Sequence, residues 1–190
     1  MMTAKKERTR EGILDVSYKL FAKNGFNKVT MKDVCEAANL SRGGLYSHFS
    51  GTREIFEAIL DRLNQREEMD FYQEIEAKEP AVQILEKALL LLEEEMKNPE
   101  DSLSVAMYEY AGTVDKELMN ELNRMGEEKW TALILYGIQT GEFKEVDVKE
   151  IVNVILYAYQ GVRLWSRIIT MHTETFSSIT NHIRKQLIKE

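Results

Sequence analysis

Between Lys28 and Arg53 the chain gathers hydrogen-bond donors, cations and glycines in a pattern suited to a nucleic-acid duplex. Thr30, Tyr46 and His48 supply neutral or weakly basic donors for phosphate oxygens, and Lys28, Lys32 and Arg53 add charge; such contacts position a protein on DNA without reading sequence. Arg42 has the side chain that pairs with guanine O6 and N7 in the major groove, with Ser47 and His48 behind it as further base-reading candidates. Ser41 stands where it could cap the helix that Arg42 opens, and Gly43-Gly44 let the backbone itself come close to a groove. Each residue also has a plainer reading: Tyr46 and Phe49 as core aromatics, Thr30 as a helix cap alone, Arg42 as a solvated side chain.

Other chemistry is not laid out in this sequence. There is no Gly-rich phosphate loop, no nucleophile–base arrangement and no His/Asp/Glu cluster at metal spacing, so the expectation is no enzyme and no cofactor. His48 is far in sequence from His172 and His182, which argues against metal ligation, and the lone Cys35 can form no internal disulfide.

The elements around the cluster read as helices throughout. Only Pro80 and Pro99 interrupt a chain rich in Ala, Leu, Glu, Lys and Met, which predicts an all-α protein. A first helix over about 6–23 carries Ile13, Leu14, Leu20 and Phe21 and stops at Asn24-Gly25. Thr30 and Asp33 open a second helix that ends near Ala38. Asn39-Leu40-Ser41 makes a tight turn, and a short third helix spans Arg42–His48. Helix, turn and short helix, with small residues at Ala37, Ala38, Gly43 and Gly44, read as a helix-turn-helix. Thr52 is expected to cap a long helix four reaching Ala77. Five more helices follow, opening after Pro80, at Asp101 or Ser102, at Asp115, at Asp147 and near Glu174, for about nine in all.

Charge divides along the same line. Residues 1–53 hold ten Lys/Arg against five acids, a net +5, and the remainder holds 15 against 27, a net −12. A basic head on an acidic body suits a DNA reader with a separate sensing or dimerising part. We therefore expect residues 1–51 to form the DNA-binding domain and 52–190 a helical ligand-binding and dimerisation domain. The expected setting is the cytoplasm, associated with the nucleoid when bound to DNA, because the start has no secretory apolar stretch and no run is long enough to cross a bilayer. Helix eight, apolar nearly all round from Ile151 to Tyr159, needs cover on two sides, which points to a homodimer, the alternative being a central helix buried within one chain. The expected interface is Ile151, Val154, Ile155, Ala158, Val162, Ile179 and Ile183.

From Leu20 to Phe49 the sequence resembles the DNA-binding domain of the TetR family of regulators. The resemblance rests on Phe21-x-x-x-Gly25-Phe26, the Thr30 before helix two, Ala37-Ala38-x-Leu40-Ser41, and Gly44-Leu45-Tyr46-x-His48-Phe49. Three positions depart from the family pattern: Asn39 stands for the usual Gly, Cys35 for Ala, and Thr52 for a Lys that commonly meets phosphate. The resemblance implies a pocket within helices four to eight, whose small-molecule effector displaces helix four and releases a palindromic double-stranded operator, most often as a repressor. An activator, or an adaptor on the same fold without operator binding, stays open as an alternative. Aromatic and Met side chains in that body suit a flat or apolar effector, with Phe71, Tyr72, Met107, Tyr108, Trp130 and Tyr159 as candidate walls and Glu109 and Arg163 as polar anchors; at helical spacing the first group more often reads as ordinary core, and the two charges read more readily as solvated or ion-paired structural groups.

Overall fold

A computed structural model describes residues 2–65 and 71–189, which form ten α-helices and one 3-10 turn, with no strand among the described residues. Helix α1 spans Met2–Asn24, α2 Met31–Ala38, α3 Arg42–Tyr46, α4 Thr52–Gln65, α5 Phe71–Glu76, α6 Ala81–Lys97, α7 Ser104–Ala111, α8 Lys116–Gln139, α9 Val148–Trp165 and α10 Thr173–Leu187. The chain folds as two compact units: α1–α4 with α7 in the first, and α5, α6, α8, α9 and α10 in the second. The division thus falls elsewhere than at the expected 51/52 boundary, because α4 and the later α7 both bury apolar faces against α1.

In the first unit the core joins Ile13, Leu14 and Phe21 of α1 to Val34 of α2, Leu45 of α3, and Ile55, Phe56 and Ile59 of α4. Spacings of three and four residues put these side chains on single helix faces. Tyr110 of α7 completes an aromatic cluster, its ring 5.0 Å from Phe56 and 5.2 Å from Phe26, while Phe21 meets Phe56 edge-on at 5.0 Å. Such edge-to-face contacts add about 0.5–1.5 kcal/mol per pair beyond the buried area.

In the second unit α6 turns Ile84, Leu85, Ala88, Leu89, Leu92 and Met96 inward against Trp130, Leu133 and Ile134 of α8 and Ile151, Val152 and Ile155 of α9. The Gly141-Glu142-Phe143 connection is a built corner. Gly141 takes φ +79° to end α8, and Glu142 accepts from the Ala81 and Val82 amides at 3.0 and 3.1 Å, satisfying the start of α6. Phe143 lies so close to Gly137 that a Cβ there would overlap its ring. Burial works against the Glu142 carboxylate, yet the Val82 and Ala81 amides and the Thr140 hydroxyl outweigh it and hold its carboxyl below the ordinary value.

Several boundaries differ from the sequence reading. Of the stretch expected as helix four, α4 and α5 are the described parts and residues 66–70 lie outside the described residues; α5 ends shortly before Lys78, which is left-handed at φ 57°. Thr52 does not cap α4; Glu54 reaches back instead to the amide and hydroxyl of Ser50, at 2.6 and 2.7 Å. The reading helix stops at Tyr46 rather than His48, since Gly43 and Gly44 favour helix weakly and the His48 amide already bonds back three residues to Leu45.

Candidate nucleic-acid interface

The turn between α2 and α3 is held by three local devices. Thr30 accepts from the Asp33 amide at 3.3 Å while the Asp33 carboxylate accepts from the Thr30 amide at 2.8 Å, a reciprocal capping box at the start of α2. Hydrogen bonds from the Thr30 hydroxyl and amide hold the Asp33 carboxyl below its ordinary value. Asn39 ends α2 in the left-handed region at φ 52°, ψ 45°, and its tolerance of that conformation makes the turn feasible without glycine. Ser41 caps α3 by accepting from the Gly44 amide at 3.1 Å.

These devices present one face of α3. Arg42 and Tyr46, one turn apart, are both exposed, and the Arg42 guanidinium lies 5.6 Å from the Tyr46 ring centroid. That stacking narrows the conformations of Arg42 in the free protein and holds its donors near the helix surface. The two glycines differ in purpose. A Cβ on Gly43 would meet open space, whereas one on Gly44 would stand 3.2 Å from the Ser41 Oγ, so Gly43 leaves room for an outside surface and Gly44 keeps the cap intact.

The other candidates divide into free and occupied groups. Lys28 and Ser47 are exposed, and Ser47 donates its hydroxyl to the Gly44 carbonyl at 2.7 Å. Lys32 pairs with Glu36 at 3.7 Å in full solvent, a contact that holds it weakly. His48 is half-buried, its Nδ1 buried without a partner among the described residues. Arg53 does not stand free as the sequence suggested. It donates to the Thr113 carbonyl at 3.2 Å, lies 3.9 Å from Glu57 and covers the Tyr110 ring at 5.7 Å, so it ties α4 to the end of α7.

One residue of this unit takes the structural one of its two sequence readings. Glu109, expected among effector-binding groups, accepts from the Asn27 amide at 2.8 Å and closes on Gly25, whose φ is +81°. It fixes the turn that leads into α2. Beside it, Tyr110 donates to Glu57 at 2.8 Å, and burial with that carboxylate pushes its phenol up to about 12. Met107 and Tyr108 belong to this first unit too, with Tyr108 largely exposed.

The remaining effector candidates lie in the second unit. Phe71 and Trp130 are buried core, edge to face at 5.1 Å, and Tyr72 is exposed. Tyr159 and Arg163 of α9 form a polar group with Glu95 of α6: Tyr159 donates to Glu95, Arg163 donates to the Tyr159 oxygen, and the Arg163 Nε is buried without a partner among the described residues.

The expected dimer residues also separate. Ile151, Ile155, Val162 and Ile183 are packed into their own unit's core, Ile155 only 1% exposed, so they are not a free docking face. Val154 is 40% exposed, and Ala158 and Ile179 are half-buried. Tyr157, 55% exposed, and Trp165, 52% exposed, which the sequence reading did not place among the interface residues, share the Val154 face of α9 with Gly161. A helix apolar all round hides which stripe its own core uses.

Comparison with known proteins places this geometry. Residues 13–59 match the model described as "Bacterial regulatory proteins, tetR family". The chain is 30% identical over 157 residues to the HTH-type transcriptional repressor KstR2 of Rhodococcus jostii, covering 77% of this chain and 74% of that one. It is 29% identical over 151 residues to the uncharacterized HTH-type regulator YfiR of Bacillus subtilis, covering 74% and 71%. Among solved structures, a TetR-family regulator from Agrobacterium tumefaciens superposes with a TM-score of 0.79 over 97% of this chain and 100% of that one, at 13% identity.

Proposed function

Because the chain belongs to the TetR family of bacterial regulatory proteins, and is thus a helix-turn-helix transcriptional regulator, we propose that it is a dimeric repressor released from a palindromic operator by a small molecule. The observation that carries the DNA-reading part is the exposed Arg42–Tyr46 face of α3, set by the Thr30 and Ser41 caps and left open at Gly43. Arg42 reads a guanine, Lys28, Lys32, Tyr46 and the residues around Ser47 and His48 hold the backbone, and Arg53 supports them from within its unit.

Dimerisation uses the outer face of α9. Val154, Tyr157, Ala158, Gly161 and Trp165 share one face at helical spacing, and a Cβ on Gly161 would meet open space, which suits close approach of the same face on a second copy. Two reading helices must then sit about 34–36 Å apart to meet successive major grooves. An effector acts by disturbing that spacing, and the Glu95–Tyr159–Arg163 group, with its buried Arg163 Nε, is the polar anchor for it.

Selection of a duplex from a random library tests the reading directly: the enriched sequence is a palindrome, and enrichment of no sequence at low salt would refute operator binding. A library of apolar and aromatic compounds, screened first by thermal shift, then yields binders that release labelled operator. Coupling is reciprocal, so operator weakens such a binder by the same factor, typically about 5- to 150-fold. Equal affinities with and without operator would remove the compound as an effector.

A further inference from the structure

The first turns of α1 carry cations that the helix-turn-helix does not use. Residues 4–10 hold Lys5, Lys6, Arg8 and Arg10 against the single acid Glu7, and residues 4–8 are exposed. Among the described residues, Lys5, Lys6 and Arg8 form no ion pair. A helix segment this exposed buries nothing for its own unit, so stability gives no account of its composition.

Its placement does. The inward stripe of α1 runs back from Phe21 through Ser17 and Leu14 to Arg10, one face at helical spacing, and changes there from apolar to basic. Arg10 covers the Phe49 ring at 5.1 Å, and Phe49 closes the segment directly after the reading helix. Lys6 lies one turn further out on the same face, about 6 Å beyond Arg10 along the axis. Of the two acids next along the helix, Asp15 is bridged to Arg62 at 2.8 Å, and Glu11 divides between Arg62 at 3.1 Å and Arg10 at 3.9 Å, the latter a long, partly exposed contact that holds Arg10 weakly.

A helix seated in a major groove about 12 Å wide has a phosphate backbone along each side. A basic segment standing beside the end of that helix faces one of these backbones. We propose that Lys6 and Arg10, with Lys5 and Arg8, form a second phosphate-binding strip that clamps the operator backbone flanking the groove α3 reads. The strip adds affinity and salt dependence and carries no sequence information, because phosphates are alike at every step. This rests on the DNA-reading proposal above.

The test uses the full chain and the duplex it selects. The combined Lys5→Gln, Lys6→Gln, Arg8→Gln variant keeps the parent's melting curve, since the exchanged side chains are exposed. Its log affinity against log salt is shallower by about 0.9 for each phosphate left without its cation, and at about 0.1 M salt its affinity is lower by roughly tenfold per such phosphate. The ratio of affinities for the selected duplex and a scrambled one stays at the parent value. A second variant, Lys116→Gln, Lys149→Gln, Lys185→Gln, removes the same charge from exposed positions of the second unit and leaves the slope unchanged. A parent-like slope in the first variant, or an equal drop in both, overturns the strip while leaving the helix-turn-helix reading intact. A parent chain that selects no sequence refutes that reading and the strip with it.

Discussion

Arg42 is exposed and stacked on Tyr46, so the free protein already holds part of the conformation a groove would require. Its planar fork matches guanine O6 and N7, a pairing worth about 1–3 kcal/mol of discrimination. Arg42→Ala therefore lowers affinity for the selected operator by about that amount and relaxes the preference at one base pair per half-site, as competition with single-base variants of the duplex measures. A uniform loss across all sequences would instead make Arg42 a phosphate contact. Glu109 shows the opposite relation between residue and role: an anchor for an effector by its apolar neighbours in sequence, it is in fact the acceptor that holds the Asn27 amide.

Among the elements, the short helices α2 and α3 depend on their caps more than on propensity, since eight and five residues are too few to be stable alone. Thr30→Ala removes the side-chain half of the capping box and costs about 1 kcal/mol, read as a lower melting temperature. The box also sets a pH dependence. The Thr30 bonds depress the Asp33 carboxyl, so their stabilisation is fully present above its ordinary value of 3.8 and is lost as pH falls through the lower folded value. Thermal melts between neutral and strongly acidic pH check this: the parent's stability declines on the acid side, and Thr30→Ala declines less steeply over the same range. Parallel acid limbs would mean that Asp33 gains nothing from Thr30.

For the molecule as a whole, the proposed dimer joins two reading heads through the outer face of α9. Tyr157→Glu places a charge on the exposed stripe and yields a folded monomer, seen as a halved mass in equilibrium sedimentation with helical content retained. Ile155→Glu, two residues away, buries a carboxylate in the core and lowers the melting transition severely instead of separating the subunits. A dimer that survives Tyr157→Glu would place the interface on another surface.

The all-helical class, the family and the reading turn were legible in the order of residues alone, because these rest on local interactions. Thr30 with Asp33, Asn39 at its left-handed position and Ser41 with Gly44 each act within a few residues, so spacing exposes them. The same holds for Asp147, which caps α9 through the Glu150 amide at 3.0 Å. Which side of an apolar helix is core and which is free required the packed chain. Ile155 and Tyr157 are both apolar neighbours on α9, and their separation follows from where α6 and α8 happen to pack. Packing likewise revealed that α7, 82 residues after the turn it supports, belongs to the reading unit, since the Glu109–Asn27 bond joins groups that no periodicity relates. Local geometry is written in the spacing of residues, whereas long-range contacts depend on how whole faces fit once the helices exist.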